Sequence, residues 1–272
     1  MLHLSGGDDG STAERIRYGA ALAAHGGAHL TGLFTRLPLP LASHYVPPAL
    51  IAGHRAEVDR AAAVARQLFE DSLRRHGIAG EWIEAEGSAL DSIQLYGRST
   101  DLVILGQPVA AKADPVVGPD HGVGQLTQDL VFALGRPVIR LPQGAAPVQR
   151  FGRLLIGWNG KKEATRAVHD ALPLLRLADA VIVACVGTAG LKTTPGSELA
   201  RHLARHDVAV DLVVSPERDG RAGPELLQLA AQHDADLVVM GAYGYMRWRE
   251  RIFGGATEAV LRQARIPVLF SH

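Results

Sequence analysis

Asp236-Leu-Val-Val-Met-Gly241, near the carboxyl end of the sequence, is echoed by Asp101-Leu-Val-Ile-Leu-Gly106 in its first half. Each is a short apolar run between an aspartate and a glycine, the pattern of a strand covered on both faces. The echo extends outward in both directions. Gly6–Thr35 falls on Gly157–Val186 at an offset of 151 without a gap, and Gly135-Arg-Pro-Val-Ile-Arg140 falls on Arg265-Ile-Pro-Val-Leu-Phe270 at an offset of 130. The chain therefore reads as one unit used twice, 1–143 and 150–272, joined by the Pro-, Gly- and Ala-rich stretch Gln143–Gln149. The shrinking offset gives the first unit about 21 extra residues, which the pattern assigns mainly to the proline-rich segment Leu37–Ile51.

Within the second unit, strand and helix patterns alternate. Arg153–Gly157, Ala180–Val186, Val208–Val214, Asp236–Gly241 and Pro267–Phe270 read as strands. Glu163–Leu177 carries an apolar helical stripe with Pro173 as a possible bend, and Glu225–His233 and Thr257–Ala264 read as further helices. Continuous apolar strands separated by helices predict a parallel α/β sheet wound by right-handed crossovers. In such sheets ligands sit outside the carboxyl ends of the strands, at the switch in strand order. The segments that reach that edge are Ser5–Ser11 and Trp158–Lys162 after the first strands, and those beginning at Gln107 and Ala242 after the fourth.

Composition narrows the function classes. Twenty-eight basic residues balance 28 acidic ones and the isoelectric point is near 7.2, which argues against broad electrostatic capture of nucleic acid or anionic membrane. Hydrophobic residues at 47% belong to a folded globular chain. The single cysteine, Cys185, lies in an apolar strand and reads as inert core, without an intramolecular disulfide. Asp8, Asp9 and Glu14 interrupt the place where a signal peptide would need its apolar core, and no run approaches the ~18 apolar residues of a membrane span. A cytoplasmic protein is the expectation.

The most specific signal is Gly241-Ala-Tyr-Gly244, then nine residues, then Gly254-Gly255-Ala256-Thr257 entering a helix. Glycines at a strand-to-helix crossing let backbone N–H groups approach phosphate oxygens, and a helix amino end favours an anion. Between them, Arg247, Arg249 and Arg251 offer guanidinium forks suited to phosphate. This Gly-x2-Gly-x9-Gly spacing, with Trp158-Asn159-Gly160 after the preceding unit strand, resembles the universal stress protein family in its two-domain form. The resemblance implies two Rossmann-like domains of the adenine nucleotide hydrolase-like type, each with five parallel strands in the order 3-2-1-4-5, packed as a pseudo-dimer or as a homodimer. It also implies an adenine nucleotide, ATP foremost and with Mg as a companion ion, serving a stress response through ligand-dependent conformation or a protein partner. Carried over, Gly241, Gly244 and Gly254 match the phosphate loop, with Gly160 and Arg247 beside it. Two positions depart from the family pattern: Asn159 stands where the family has Asp, and Gly255 where it has Ser or Thr, with Thr257 as a replacement hydroxyl.

The first unit lacks this loop. Gly106-Gln-Pro-Val replaces Gly-x2-Gly, and Pro108 removes an amide. Ser5-Gly-Gly-Asp-Asp-Gly-Ser11 resembles the pyrophosphate loop of ATP pyrophosphatases, which would make the protein an adenylating enzyme. A helix-capping turn, with Ser11 as cap and Glu14 three residues on, explains the same letters. His202 and His206 share a helical face but lack a visible third metal ligand. Trp248 could stack on a base or anchor the loop, and Leu37–Pro48 could be a lid, an interaction arm or a packed loop. No catalytic residue or metal site is assigned, any ATP hydrolysis is expected to be slow, and a nucleotide-free scaffold is the competing class.

Overall fold

The computed structural model describes residues 1–6, 11–36, 47–107, 124–147, 151–186, 196–216, 221–242 and 255–272. The first half runs β1 (Leu2–Ser5), α1 (Ser11–Gly26), β2 (Leu30–Arg36), α2 (Pro48–His76), β3 (Gly80–Glu86), α3 (Ala89–Gly97), β4 (Val103–Gly106), α4 (Gln125–Ala133) and β5 (Val138–Leu141). The second repeats it with β6 (Arg153–Trp158), α5 (Lys162–Leu175), β7 (Ala180–Val186), α6 (Ser197–Ala204), β8 (Val210–Ser215), α7 (Ala222–Gln232), β9 (Leu237–Gly241), α8 (Ala256–Gln263) and β10 (Val268–Ser271).

All ten strands form one sheet, β3-β2-β1-β4-β5-β10-β9-β6-β7-β8. Each half is a parallel, Rossmann-like unit in the order 3-2-1-4-5. The halves join edge to edge where β10 pairs antiparallel with β5, Leu269 opposite Ile139. That junction leaves neither inner strand edge open. Successive residues of β7 show why the strands are continuously apolar: Val181, Val183 and Cys185 enter the cluster under α1, α2, α5 and α6, while Ile182 and Ala184 enter the one under α3, α4, α7 and α8. Both faces of this inner strand are dry, so alternation of polar and apolar residues disappears in it.

The extra length of the first half is helical. α2 has 29 residues where its counterpart α6 has eight, so the insertion expected within Leu37–Ile51 belongs to α2, and Pro48–Ile51 form its first turn. At about 1.5 Å per residue the helix runs roughly 43 Å. Its distal part buries Ala62, Ala65 and Phe69, with Phe69 against the Trp82 ring at 5.5 Å. Gln143–Gln149 is held at Gly144, whose N–H donates to the Glu14 carboxylate at 2.9 Å. Glu14 thus anchors the connection rather than closing a capping box, and Ser11 is the first residue of α1. Asp236 secures the start of β6 by accepting from the N–H groups of Gly152 and Arg153, at 2.8 and 2.9 Å.

His3 is the buried titratable group of β1. Its Nε2 lies 2.9 Å from Thr35 Oγ1, and burial, followed by the nearby Arg15 guanidinium, pushes the ring down from 6.5 to about 3. The folded state therefore keeps His3 neutral where the unfolded chain takes up a proton. Its contribution is complete above pH 6.5 and is lost as pH falls towards 3, at up to about 1.4 kcal/mol per pH unit. Urea unfolding between pH 7 and 4 is expected to show that slope in the wild type and about one proton less in His3→Gln; equal slopes would remove His3 from the account. Phe69→Ala is expected to cost about 3–5 kcal/mol, against less than about 0.5 kcal/mol for Val64→Ala on the exposed side of the same helix.

Candidate functional site

β6 and β9 lie side by side, Gly157 opposite Met240, and the chain winds away from them in opposite directions along the sheet. The crevice outside their carboxyl ends is the ligand position of an open α/β sheet. Asn159 and Gly160 stand exposed at the end of β6. Asn159 Oδ1 accepts from Lys161 N–H at 3.0 Å, which fixes the turn and leaves the side-chain NH2 to donate elsewhere. Gly160 has φ +71, and a Cβ added there meets nothing within 4 Å, so its main chain is bare.

Gly241 ends β9 next to this turn but has a packing role of its own. A Cβ on it would lie 2.4 Å from Ala164 N and from the Glu163 carbonyl carbon. The glycine lets the first turn of α5 cross over β9. Glu163 is buried in that turn with its carboxylate 3.6 Å from Lys162 Nζ, at the helix end whose dipole favours an anionic side chain. Gly255 caps α8 with no side-chain hydrogen bond and open space around its Cα, which leaves first-turn amides to an incoming acceptor. Thr257 is buried in the first turn of α8. By the winding of the chain, α8 starts at the same sheet edge as the Asn159 turn. Gly244, Arg247, Gly254 and Trp248 lie outside the described residues.

A separate groove runs along the exposed side of α5. Lys162, Thr165, Arg166, His169 and Asp170 line an open groove of about 510 Å³ along α5. Arg166 Nε donates to Asp170 at 2.9 Å and its Nη2 to the Gly135 carbonyl at 3.4 Å, so the groove borders the first half. The basic residues of an exposed helix face are ordinary in sequence.

The corresponding crevice of the first half has a different occupant. β1 and β4 share a single register pair among the described residues, Leu2 with Ile104, where β6 and β9 share four. Arg15 fills the divergence. Its Nη1 donates to the His3 carbonyl at 3.3 Å, its Nη2 to Ser11 Oγ at 3.2 Å, and a Cβ on Gly106 would fall 2.4 Å from Arg15 Cδ. Of the Ser5–Ser11 loop, Gly7, Asp8, Asp9 and Gly10 lie outside the described residues, as do Pro108 and the segment Leu37–Val46.

The histidines acquire a third member, His169 on α5, whose ring centroid lies 5.4 Å from that of His202, itself 4.8 Å from His206. Burial, then His206, His169 and Arg205, push His202 below its ordinary value. His206 Nδ1 faces Arg176 Nη2 at 3.2 Å and so accepts from it. Among the described residues no cluster of three His, Cys, Asp or Glu side chains could hold a metal ion. Cys185 is buried, which raises its thiol pKa. No helix among the described residues is long and apolar enough to cross a membrane.

Comparison with known proteins agrees with this architecture. A universal stress protein of Archaeoglobus fulgidus superposes with a TM-score of 0.76 at 17% identity, covering 99% of this chain and 95% of that one. A functionally unknown protein of Pseudomonas aeruginosa does so with a TM-score of 0.59 at 15% identity, covering 99% and 91%. These likenesses concern the fold. In sequence, a universal stress protein of Synechocystis is 22% identical over 207 residues, spanning 74% of this chain and 68% of that protein. The model of the universal stress protein family matches residues 150–272. The second half, residues 150–272, thus matches the universal stress protein family, and the whole chain shares the fold of its members.

Proposed function

We propose that the second half binds an adenine nucleotide, ATP foremost, in the crevice between the ends of β6 and β9, and that occupancy sets the protein's conformation or its choice of partner. The observation that carries this reading is the Gly-x2-Gly-x9-Gly spacing that leaves β9 and returns at the uncapped amino end of α8. Bare main chain at Gly160 and Gly255 supports it, because backbone amides without a neighbouring Cβ can close on phosphate oxygens. The free NH2 of Asn159 suits a ring nitrogen of the base. A magnesium ion would arrive on the nucleotide's phosphates, since the described residues offer no carboxylate cluster for it. The role we assign is storage or signalling. In the first half, Arg15 supports the reading of a crevice that takes no nucleotide.

Isothermal titration tests this. ATP is expected to bind the wild type with a stoichiometry of about one. Gly244→Asp is expected to weaken binding roughly 30-fold or more by setting a carboxylate against the phosphates, and Asn159→Ala roughly 3- to 10-fold. No binding by the wild type, or equal binding by Gly244→Asp, would overturn the site. Gly241→Ala is expected to lower unfolding stability by roughly 1–3 kcal/mol even without ligand, because its Cβ meets the α5 backbone. Unchanged stability would show that Gly241 serves the ligand alone.

A further inference from the structure

Arg140 stands in the middle of the ten-stranded sheet, on β5, paired with Leu105 of β4 on one side and Val268 of β10 on the other. The position is apolar in the repeat, where Phe270 takes it. Arg140 is 1% exposed, and its Nε and Nη2 are buried with no hydrogen-bond partner. A guanidinium without a counter-charge in such a place costs several kcal/mol, so its retention calls for a negative partner.

The surroundings indicate where that partner sits. Arg140 lies two residues beyond Val138 and so shares its face of the sheet, where Val138 clusters with Leu130, Val131 and Leu134 of α4. α4 runs antiparallel to the strand it precedes, so its amino end stands over the carboxyl end of β5, the end that carries Arg140. That amino end has no side-chain cap at Gly124 and no acidic residue in its first turn. First-turn amides and a guanidinium fork are both donors matched to phosphate oxygens; among the described residues no side chain caps the helix end, and Arg140 Nε and Nη2 have no acceptor.

We infer that Arg140 and the amino end of α4 form a binding site for a compact phosphate-class oxyanion in the first half, separate from the nucleotide crevice of the second half. The site holds the anion by two sets of donors, and the anion neutralises the buried Arg140. This inference does not rest on the nucleotide reading. It also gives the first half a ligand of its own although Arg15 fills the β1–β4 crevice.

Thermal unfolding in inorganic phosphate and, separately, in AMP tests it, with wild type, Arg140→Met and Gly244→Asp compared in phosphate-free buffer. At a concentration tenfold above half-saturation, phosphate is expected to raise the wild-type Tm by roughly 3–5 °C. Arg140→Met is expected to lose that rise and Gly244→Asp to keep it. A rise lost only in Arg140→Met with phosphate but not AMP marks a free anion, and one seen with both marks a phosphate ester. A rise that persists in Arg140→Met, or no rise in the wild type, overturns the proposal; a rise lost in Gly244→Asp instead assigns the anion to the second half. Should Arg140→Met fail to fold, Arg140→Lys keeps the charge without the fork. Phosphate affinity is then expected to drop about tenfold, and unchanged affinity overturns the proposal.

Discussion

The pairing of β6 with β9 is the constraint on which the candidate site depends. Four register pairs hold the two strands parallel to their ends, and the chain then departs to opposite sides. No side chain is needed to open the crevice, because the topology does so. What the sequence adds is the absence of side chains at Gly160, Gly241 and Gly255. Gly241 admits the crossing of α5, while the other two leave amide-bearing backbone uncovered.

The first half shows what happens when the same topology is furnished differently. Its central strands share one register pair, and a long cation from α1 enters the gap they leave. The register loss and the arginine are mutually consistent: the His3 carbonyl, without a ladder partner on that side, receives Arg15 Nη1 instead. The repeated topology thus carries a crevice in each half, and Arg15 occupies that of the first. The two halves join because β5 and β10 close each other's edge and make a single sheet.

Much of the fold was legible before the structure. The repeat offsets, the continuous apolar strands and the Gly-x2-Gly-x9-Gly spacing depend on local pattern, which survives without tertiary context. The location of the first half's extra residues did not follow, because prolines and turn formers in Leu37–Ile51 are conspicuous. The alanine-rich stripe of α2, by contrast, is a weak hydrophobic signal. Glu14 fitted a capping box by spacing, yet its carboxylate reaches residue 144, a contact set by tertiary packing. The packing role of Gly241 and the intrusion of Arg15 are also properties of crossing elements, invisible to spacing. Arg140 was open to notice, since an arginine in Val-Ile-Arg-Leu interrupts a strand that its repeat completes with phenylalanine.

Hydrogen exchange read by mass spectrometry, with and without ATP, tests the central claim that bare backbone at the edge of the second half grips the phosphates. The account predicts slowed exchange in peptides covering 159–164 and 241–258, with no change across 103–107. Unaltered exchange in the second half, or protection appearing at the β1–β4 crevice instead, would contradict it.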